Sequence, residues 1–543
     1  MYSALRDPAG WTLPQVLAEQ AAKKPDATWI TTTDGESLTF STADRDARQV
    51  AGYLAQLGVA AGERVAVLMP NGLDFVRAWM GLGYYGATTV FLNTELRGAF
   101  LLHQINNCGA SVAIVDATLL EVVQQLAGEL KQLKRVVVVG GNEANATANA
   151  AANPATSTGT GFACLDWSEW RKAPSHAGPL PAPQDIACVM YTSGTSGPAK
   201  GVLMPHAHCY LYGLGSIDAL ALQADDCYYI VLPLFHANGL LMQLGSTLIA
   251  GIRAVVRGRF SASSWLVDVR KHGATVSNSL GALAAFLVAQ PPGPDDRNHR
   301  LRAMLNAPNF PAHETVFHER FGVRDIISGF GMTEVNIPIW GRVGHSRPGA
   351  AGWVYDKYFD VIIADPDTDR ALPPGSVGEI LVRPKVPWGF MAGYLDLPEK
   401  TVEAWRNLWF HTGDAGTMTA DGLVTFIDRI KDCIRRRGEN ISAAEVEAVV
   451  ANLSGVAEVA AYAVPSDLPG GEDEVMLAIV PQDAQDFDRN AVLAQADQLL
   501  PRFARPRYLE LMGELPKTAT GKVQRAVLRK RGVAEAWDRE GKT

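Results

Sequence analysis

The sequence predicts an α/β protein with a large N-terminal domain of mostly parallel sheet and helices, followed by a small α+β domain. Three observations predict it. Helical periodicity alternates with short Val/Ile-rich runs over most of the chain, the pattern of a parallel sheet packed between helices. The texture changes near Asp428, where a new helix and strand series begins. At 543 residues the chain also exceeds the roughly 100–200 residues usual for one domain.

Taken in order, Thr12 is placed to cap a helix with Pro14 in its first turn and Val16, Leu17 and Ala21 on one face. Val50, Leu54 and Leu57 predict a second helix, closed by Gly58. Residues 64–69 read as a buried strand, 73–84 as a helix, and 87–91, 112–115 and 136–139 as further strands. Residues 141–161, rich in Ala, Asn, Thr and Gly, have little to bury and read as a surface loop. Asn145-Ala-Thr147 within it matches a glycosylation sequon, which carries no weight without a secretory signal. After Asp428, helix 443–453, strands 458–464 and 474–480, helix 489–499 and strand 508–511 form a unit of about 110 residues, the size of an independent domain.

Composition narrows the function. Lys and Arg number 49 against 57 Asp and Glu, a net charge of −8, which argues against nucleic acid as the main partner. The six cysteines lie far apart with no CxxC pair, so neither a disulfide framework nor a cysteine zinc site is suggested. Residues 1–25 lack the apolar core of a signal peptide. The apolar stretch 231–256 is interrupted by His236, Asn238, Gln243 and Arg253, too polar to span a bilayer. The expectation is a soluble cytoplasmic enzyme.

The most informative segment is Tyr191-Thr-Ser-Gly-Thr-Ser-Gly-Pro-Ala-Lys-Gly-Val202, delivered by the apolar run Ile186–Met190. Small residues let backbone N–H groups approach a polyphosphate, and the hydroxyls and Lys200 can donate to its oxygens. Lys200 is followed by Gly201, so this is not the GxxxxGK[ST] loop. Three segments follow downstream: Gly329-Phe-Gly-Met-Thr-Glu334, Trp409-Phe-His-Thr-Gly-Asp414 and Pro516-Lys-Thr-Ala-Thr-Gly-Lys522. In this order the four closely resemble the adenylate-forming superfamily of acyl-CoA synthetases, nonribosomal-peptide adenylation domains and beetle luciferases, over essentially the whole chain.

The resemblance implies a β-rich subdomain within an N-terminal domain of residues 1–428, a hinge at 429–431 centred on Lys431, and a mobile C-terminal lid at 432–543. Thr192, Ser193, Gly194, Thr195, Ser196, Gly197 and Lys200 would hold the β- and γ-phosphates of ATP. Phe330 would stack on adenine, with Ala307-Pro308 on its other side, and Gly329, Gly331 and Met332 belong to the same nucleotide segment. Thr333 would contact the α-phosphate and Glu334 would hold Mg2+. Asp414 would accept both ribose hydroxyls, a task for a carboxylate with two acceptor oxygens, and Arg429 would reach the same ribose. Lys522 would stabilise the charge that builds when a carboxylate attacks the α-phosphorus. The lid would then swing, withdraw Lys522 and present the 435–441 segment, including Gly438, to coenzyme A as its thiol enters. Arg435, Arg436 and Arg437 in that segment are expected to face solvent.

The resemblance also places the acid beside Leu232-Pro-Leu-Phe-His-Ala-Asn-Gly239. Amino-acid-activating members carry an Asp where this chain has His236, so a buried α-ammonium would lack its counter-charge. The Phe235-His236 pair instead resembles acyl- and aryl-CoA ligases, in which the His borders the carboxylate and thiol entry. The other expected walls are residues 277–282 and 335–338, where Asn278, Ser279 and Asn336 are available to a polar substituent or to backbone groups. Asn306, replacing a common Gly, is expected to narrow the pocket. The texture is closest to crotonobetaine/carnitine-CoA and medium-chain fatty-acid-CoA ligases, although Trp340 is the one aromatic in view for a quaternary ammonium.

The expected function is an ATP- and Mg2+-dependent, AMP-forming carboxylic acid:CoA ligase, with a homodimer among its open assembly states. The rivals are a ligase that loads an acyl-carrier protein, a luciferase-like oxygenase, and a nucleotide-binding sensor without turnover.

Overall fold

The structure, a computed structural model, describes residues 7–141, 161–192, 199–307, 309–429, 433–436, 439–466, 473–500, 504–518 and 523–541. The 142–160 segment, Ser193–Pro198, Pro308, Lys431, Arg437, Gly438 and the Thr520-Gly521-Lys522 turn lie outside them.

Three sheets make up the larger block. In the first, Gly393–Tyr394, Lys200–Pro205, Ile186–Thr192, Thr88–Phe91, Arg64–Leu68, Val112–Asp116, Arg135–Val139 and Ala163–Asp166 stand side by side. The six strands from Ile186–Thr192 onward are parallel, and the two preceding them run antiparallel at one edge. The second sheet runs Asp325–Ile327, Ala303–Ala307, Val276–Leu280, Cys227–Ile230, Arg253–Val256, Thr28–Thr32 and Ser37–Thr39, parallel except at its last pair. The third is wholly antiparallel and is the β-rich part: Gly329–Met332, Asn336–Trp340, Gly352–Val354, Leu423–Arg429, Phe410–Met418, Gly378–Pro384 and Phe359–Ala364.

The local reasons match the expected ones. Thr12 accepts from the Gln15 N–H with its hydroxyl and starts helix Leu13–Lys23. The second helix is longer than its apolar face, Phe40–Gln56, because Thr39 caps it a further turn and more upstream. Helix Leu73–Tyr85 ends on Gly86 in the left-handed region (φ 78°). Helix His206–Leu220 is buried almost all round and touches strands of all three sheets. A Cβ on its Gly215 would lie 2.9 Å from the Trp340 indole nitrogen, so only a glycine admits that ring. Trp340 is thereby a core residue, 3% exposed.

Past Asp428, hairpin Cys433–Arg436/Glu439–Ser442 precedes a four-stranded sheet of Val456–Pro465, Asp473–Pro481, Tyr508–Leu511 and Trp537–Asp538. Helix Ala443–Val450 stops one turn short of the expected end, and Arg489–Leu499 is as read. Helix Arg525–Arg531 follows, which the periodicity did not announce. Arg436 corrects the expectation of a solvent-facing charge: it is 6% exposed, bonds Glu474 at 2.7 Å and donates to the Arg505 carbonyl at 2.9 Å. Among the described residues no helix is long and apolar enough to cross a membrane.

Candidate active site

Strands Ile186–Thr192 and Lys200–Pro205 form a hairpin in which Thr192 and Lys200 face each other, so the hydroxyl and glycine loop is closed at its neck. The Thr192 hydroxyl donates to the Lys200 carbonyl at 3.4 Å, and His103 Nε2 lies 3.1 Å from the Ala199 carbonyl. The two-residue strand Gly393–Tyr394 pairs with the outer edge of this hairpin. It brings the Tyr394 ring under Lys200, whose Nζ is 4.1 Å from the ring centroid.

The Gly329–Glu334 segment crosses beside it. Gly329–Met332 pairs with Asn336–Trp340, with an irregularity between Phe330 and Met332. A Cβ at Gly331 would stand 2.1 Å from the Asn336 carbonyl oxygen, which explains the glycine. Asn336 holds the left-handed backbone (φ 69°), donates to the His208 carbonyl at 2.8 Å and accepts from the Ile337 N–H. Its amide is therefore engaged with backbone, the second of its two expected uses.

Side chains from two other elements fix the same turn. The Tyr212 hydroxyl donates to the Met332 carbonyl at 2.9 Å, and His208 Nε2 lies 3.0 Å from the Thr333 carbonyl while Nδ1 lies 2.9 Å from that of Gly389. Burial pulls the His208 pKa down to about 4, against two carbonyl contacts that favour its protonated form. The Tyr394 hydroxyl donates to Glu334 Oε1 at 2.9 Å. Burial first, and the Glu334 charge second, raise the Tyr394 pKa, so it stays a phenol donor. Lys200, Tyr394 and Glu334, far apart in sequence, are thus one contact chain, with Glu334 only 3% exposed.

This geometry fits a magnesium ion. Among the described residues no group of three or more His, Cys, Asp or Glu surrounds a common point. A single buried carboxylate, reached from Lys200 through Tyr394, matches an ion that takes one or two carboxylates and completes its shell with phosphates and water.

Phe330 is 8% exposed and stacks on Phe426 with centroids 5.8 Å apart and planes at 25°. Ala307 ends the neighbouring strand Ala303–Ala307. Asp414, 6% exposed, sits opposite Arg429 in the pairing of Phe410–Met418 with Leu423–Arg429, next to a register shift. Its N–H donates to the Thr412 hydroxyl, and Gly413 (φ 69°) donates its own N–H to Glu379 Oε1 at 2.9 Å.

His236 is exposed, its ring 4.7 Å from that of Phe235. A π-helix, Asn238–Gly245, follows it, a form that recurs at functional sites. Asn306 accepts from the Ser279 hydroxyl at 2.6 Å. Strand alternation puts that pair on the sheet face opposite Asn278 and Leu305.

In the second block the Lys522 turn lies outside the described residues, as do Ser193–Gly197, Pro308 and Gly438. The neck of that turn is described: Lys517 and Val523 bridge, Gln524 donates its N–H to the Pro516 carbonyl at 2.8 Å, and Lys517 pairs with Glu458 at 2.7 Å. Sequence reasoning missed Tyr394, His208, Tyr212 and Phe426. Tyr394 sits in a strand of two residues and the others within apolar runs, so none leaves a periodic or motif signal.

The chain matches the AMP-binding enzyme model over residues 17–395 and the model for the C-terminal domain of AMP-binding enzymes over residues 445–522. The crotonobetaine/carnitine–CoA ligase of Salmonella arizonae is 28% identical over 90% of this chain and 92% of its own. The long-chain fatty acid transport protein 3 of Mus musculus is 30% identical over 87% of this chain and 72% of its own. Among solved structures, an anthranilate CoA ligase in complex with anthranoyl-AMP superposes with a TM-score of 0.79 at 26% identity, covering 96% of this chain and 97% of that one. An O-succinylbenzoate coenzyme A synthetase from Bacillus subtilis, in complex with AMP, shares the fold at 0.77 and 23% identity over 95% and 98%.

Proposed function

The chain belongs to the AMP-binding enzyme family and is an ATP-dependent, AMP-forming acyl-CoA ligase; on that premise we propose how its residues divide the two half-reactions. In the first, a carboxylate oxygen attacks the α-phosphorus of ATP, forming an acyl adenylate and releasing pyrophosphate. In the second, a thiol attacks the acyl carbon and AMP leaves.

The observation that supports the assignment is the Lys200–Tyr394–Glu334 chain beside the neck of the phosphate loop. Lys200, Thr192 and the 193–197 loop hold the β- and γ-phosphates. Thr333 donates to the α-phosphate, and its carbonyl is held by His208. Glu334 holds Mg2+, which when bound neutralises phosphate charge. Phe330 and Ala307-Pro308 take adenine, while Asp414 and Arg429 take the ribose. Lys522 supplies a cation to the adenylation transition state, and His236 borders the carboxylate and the thiol entry.

Residues 429–431 act as the hinge between the 1–428 domain and the 432–543 lid, whose 435–441 segment, with Gly438, then lines the thiol path. The acceptor is coenzyme A and the acid is of short to medium length, within fatty-acid or related acid metabolism. The enzyme works in the cytoplasm, and a homodimer is its proposed assembly. The relatives that act on free acids support this reading.

The test is pyrophosphate exchange with acid and ATP alone, then AMP and thioester release only when coenzyme A is added. Release of ADP refutes the scheme, and acyl transfer only to a carrier protein replaces the acceptor. Lys522→Ala should cripple exchange and spare thioester formation from supplied acyl adenylate. Equal loss in both steps contradicts the two-position lid.

A further inference from the structure

Asp414 sits on an irregular stretch of strand Phe410–Met418. Between the pairs Glu379–Ala415 and Leu381–His411 the neighbouring strand Gly378–Pro384 advances two residues, whereas this one advances four. Residues 412–414 therefore leave the regular ladder on that side, as in a β-bulge, and their backbone groups need other partners. Side chains supply them. The Thr412 hydroxyl donates to the Ile380 carbonyl at 2.7 Å and accepts from the Asp414 N–H at 3.1 Å, and Glu379 Oε1 accepts from the Gly413 N–H at 2.9 Å.

Glu379 is 5% exposed, and a carboxylate so placed needs donors and opposite charge around it. Its second oxygen lies 2.9 Å from His411 Nδ1. Arg406 brings a guanidinium nitrogen to 2.9 Å from the same ring nitrogen and to 3.6 Å from Asp369 Oδ1, while His411 Nε2 faces Asp369 Oδ2 at 3.7 Å. Among the described residues these are the charged groups on His411: Glu379 and Asp369 flank the ring, and the half-exposed Arg406 closes the cluster toward solvent. Asp369, Asn407 and Leu408 hold left-handed backbone, at φ 56°, 51° and 62°. Such conformations persist at non-glycine residues only where the surroundings over-determine them, and they gather at functional sites.

A regular ladder would satisfy the Gly413 N–H with a backbone carbonyl and no buried charge. The carboxylate is needed because the strand lifts Asp414 out of register, and an apolar side chain of the same volume would leave that N–H unmade. We propose that Glu379 is a positioning residue for the nucleotide: held by His411, its carboxylate stands in for the missing ladder partner and fixes the bulge that presents Asp414. Glu379 acts through the Gly413 N–H, and His411 acts through Glu379. The inference rests on the reading of Asp414 as the acceptor of the ribose hydroxyls and adds the residues that set its place.

The test is nucleotide binding by the full chain, read by calorimetry with Mg2+ and either ATP or 2′-deoxy-ATP. Loss of the 2′-hydroxyl should raise the wild-type Kd about tenfold or more, the scale of one hydrogen bond to a charged acceptor. Glu379→Ala should weaken ATP binding and bring the ratio of the two Kd values below about threefold, because Asp414 no longer meets the ribose in a fixed place. General loosening of the sheet would weaken both nucleotides alike and leave the ratio unchanged. Glu379→Gln keeps an acceptor for the Gly413 N–H and should hold the ratio within about threefold of wild type. His411→Phe strips Glu379 of its ring partner, should lower the ratio as Glu379→Ala does, and carries the test if the alanine variant does not fold. A ratio that survives Glu379→Ala and His411→Phe, or that is no higher in Glu379→Gln than in Glu379→Ala, overturns the inference and leaves the ribose reading standing. Equal binding of ATP and 2′-deoxy-ATP by the wild-type chain overturns the ribose reading and the inference with it.

Discussion

Tyr394→Phe removes one oxygen and leaves the ring under Lys200, so it isolates the bond to Glu334. That bond is 2.9 Å long and joins a phenol to a carboxylate that is 3% exposed. Hydrogen bonds to charged groups contribute about 1.5–3 kcal/mol, and about 1.4 kcal/mol is tenfold in rate. Adenylation by the variant should therefore fall about 10- to 100-fold in kcat/KM, or need correspondingly more Mg2+ for half-saturation. Pyrophosphate exchange across a Mg2+ titration reads both. Tyr394→Leu, which also removes the aromatic face from Lys200, should be worse. The Tyr394 pKa is raised, so its proton stays in place through neutral and mildly basic pH and the ratio of wild type to variant should be flat from pH 7 to 9. Exchange at the wild-type rate with an unchanged Mg2+ dependence would refute the idea that this tyrosine sets the position of Glu334.

Gly331→Ala places a methyl 2.1 Å from the Asn336 carbonyl, so the hairpin must shift and exchange should drop at least about tenfold, with the melting temperature showing how much of the loss is folding. Asp414→Asn keeps the shape but replaces one acceptor oxygen with a donor, and an ATP titration should show KM raised about tenfold or more with a smaller change in kcat. His206 and His208 are both pulled down to about 4 by burial. Each therefore contributes stability that is full above pH 6.5 and is lost as pH falls toward 4, about 3 kcal/mol apiece. Urea midpoints should fall from pH 7 to pH 5, less so in His208→Asn, and a midpoint that rises instead reverses the sign of the argument. Arg436→Ala leaves Glu474 without its 2.7 Å partner in a buried setting, which should cost the smaller domain about 3 kcal/mol in a melt.

Much of the fold was legible because its signals are local. Thr12 and Gly58 mark helix ends through caps that require only a few residues, and Val-rich runs such as Val136–Val139 can be read as buried strands without knowing their neighbours. The proposed nucleotide residues come as a set because the four motifs keep their order, whereas Asp414 or Phe330 alone would pass for a turn or a core ring. What escaped depends on contacts between distant segments. Tyr394 matters through a carboxylate 60 residues away, and His208 through a carbonyl 125 residues away. Arg436 looked solvent-facing among its arginines because its partner Glu474 lies on another strand.

The pairing of Gly393–Tyr394 with Lys200–Pro205 has a practical consequence for dissecting the molecule. Those two residues cover part of one edge of the eight-stranded sheet, and uncovered edges recruit other chains. A fragment that stops short of residue 393 would keep every phosphate-loop residue yet expose a hydrogen-bonding edge beside it, inviting aggregation. One that runs through Leu395, whose N–H donates to the Gly201 carbonyl at 2.8 Å, keeps the edge sealed. The choice of a truncation point two or three residues apart thus decides whether this particular edge stays covered.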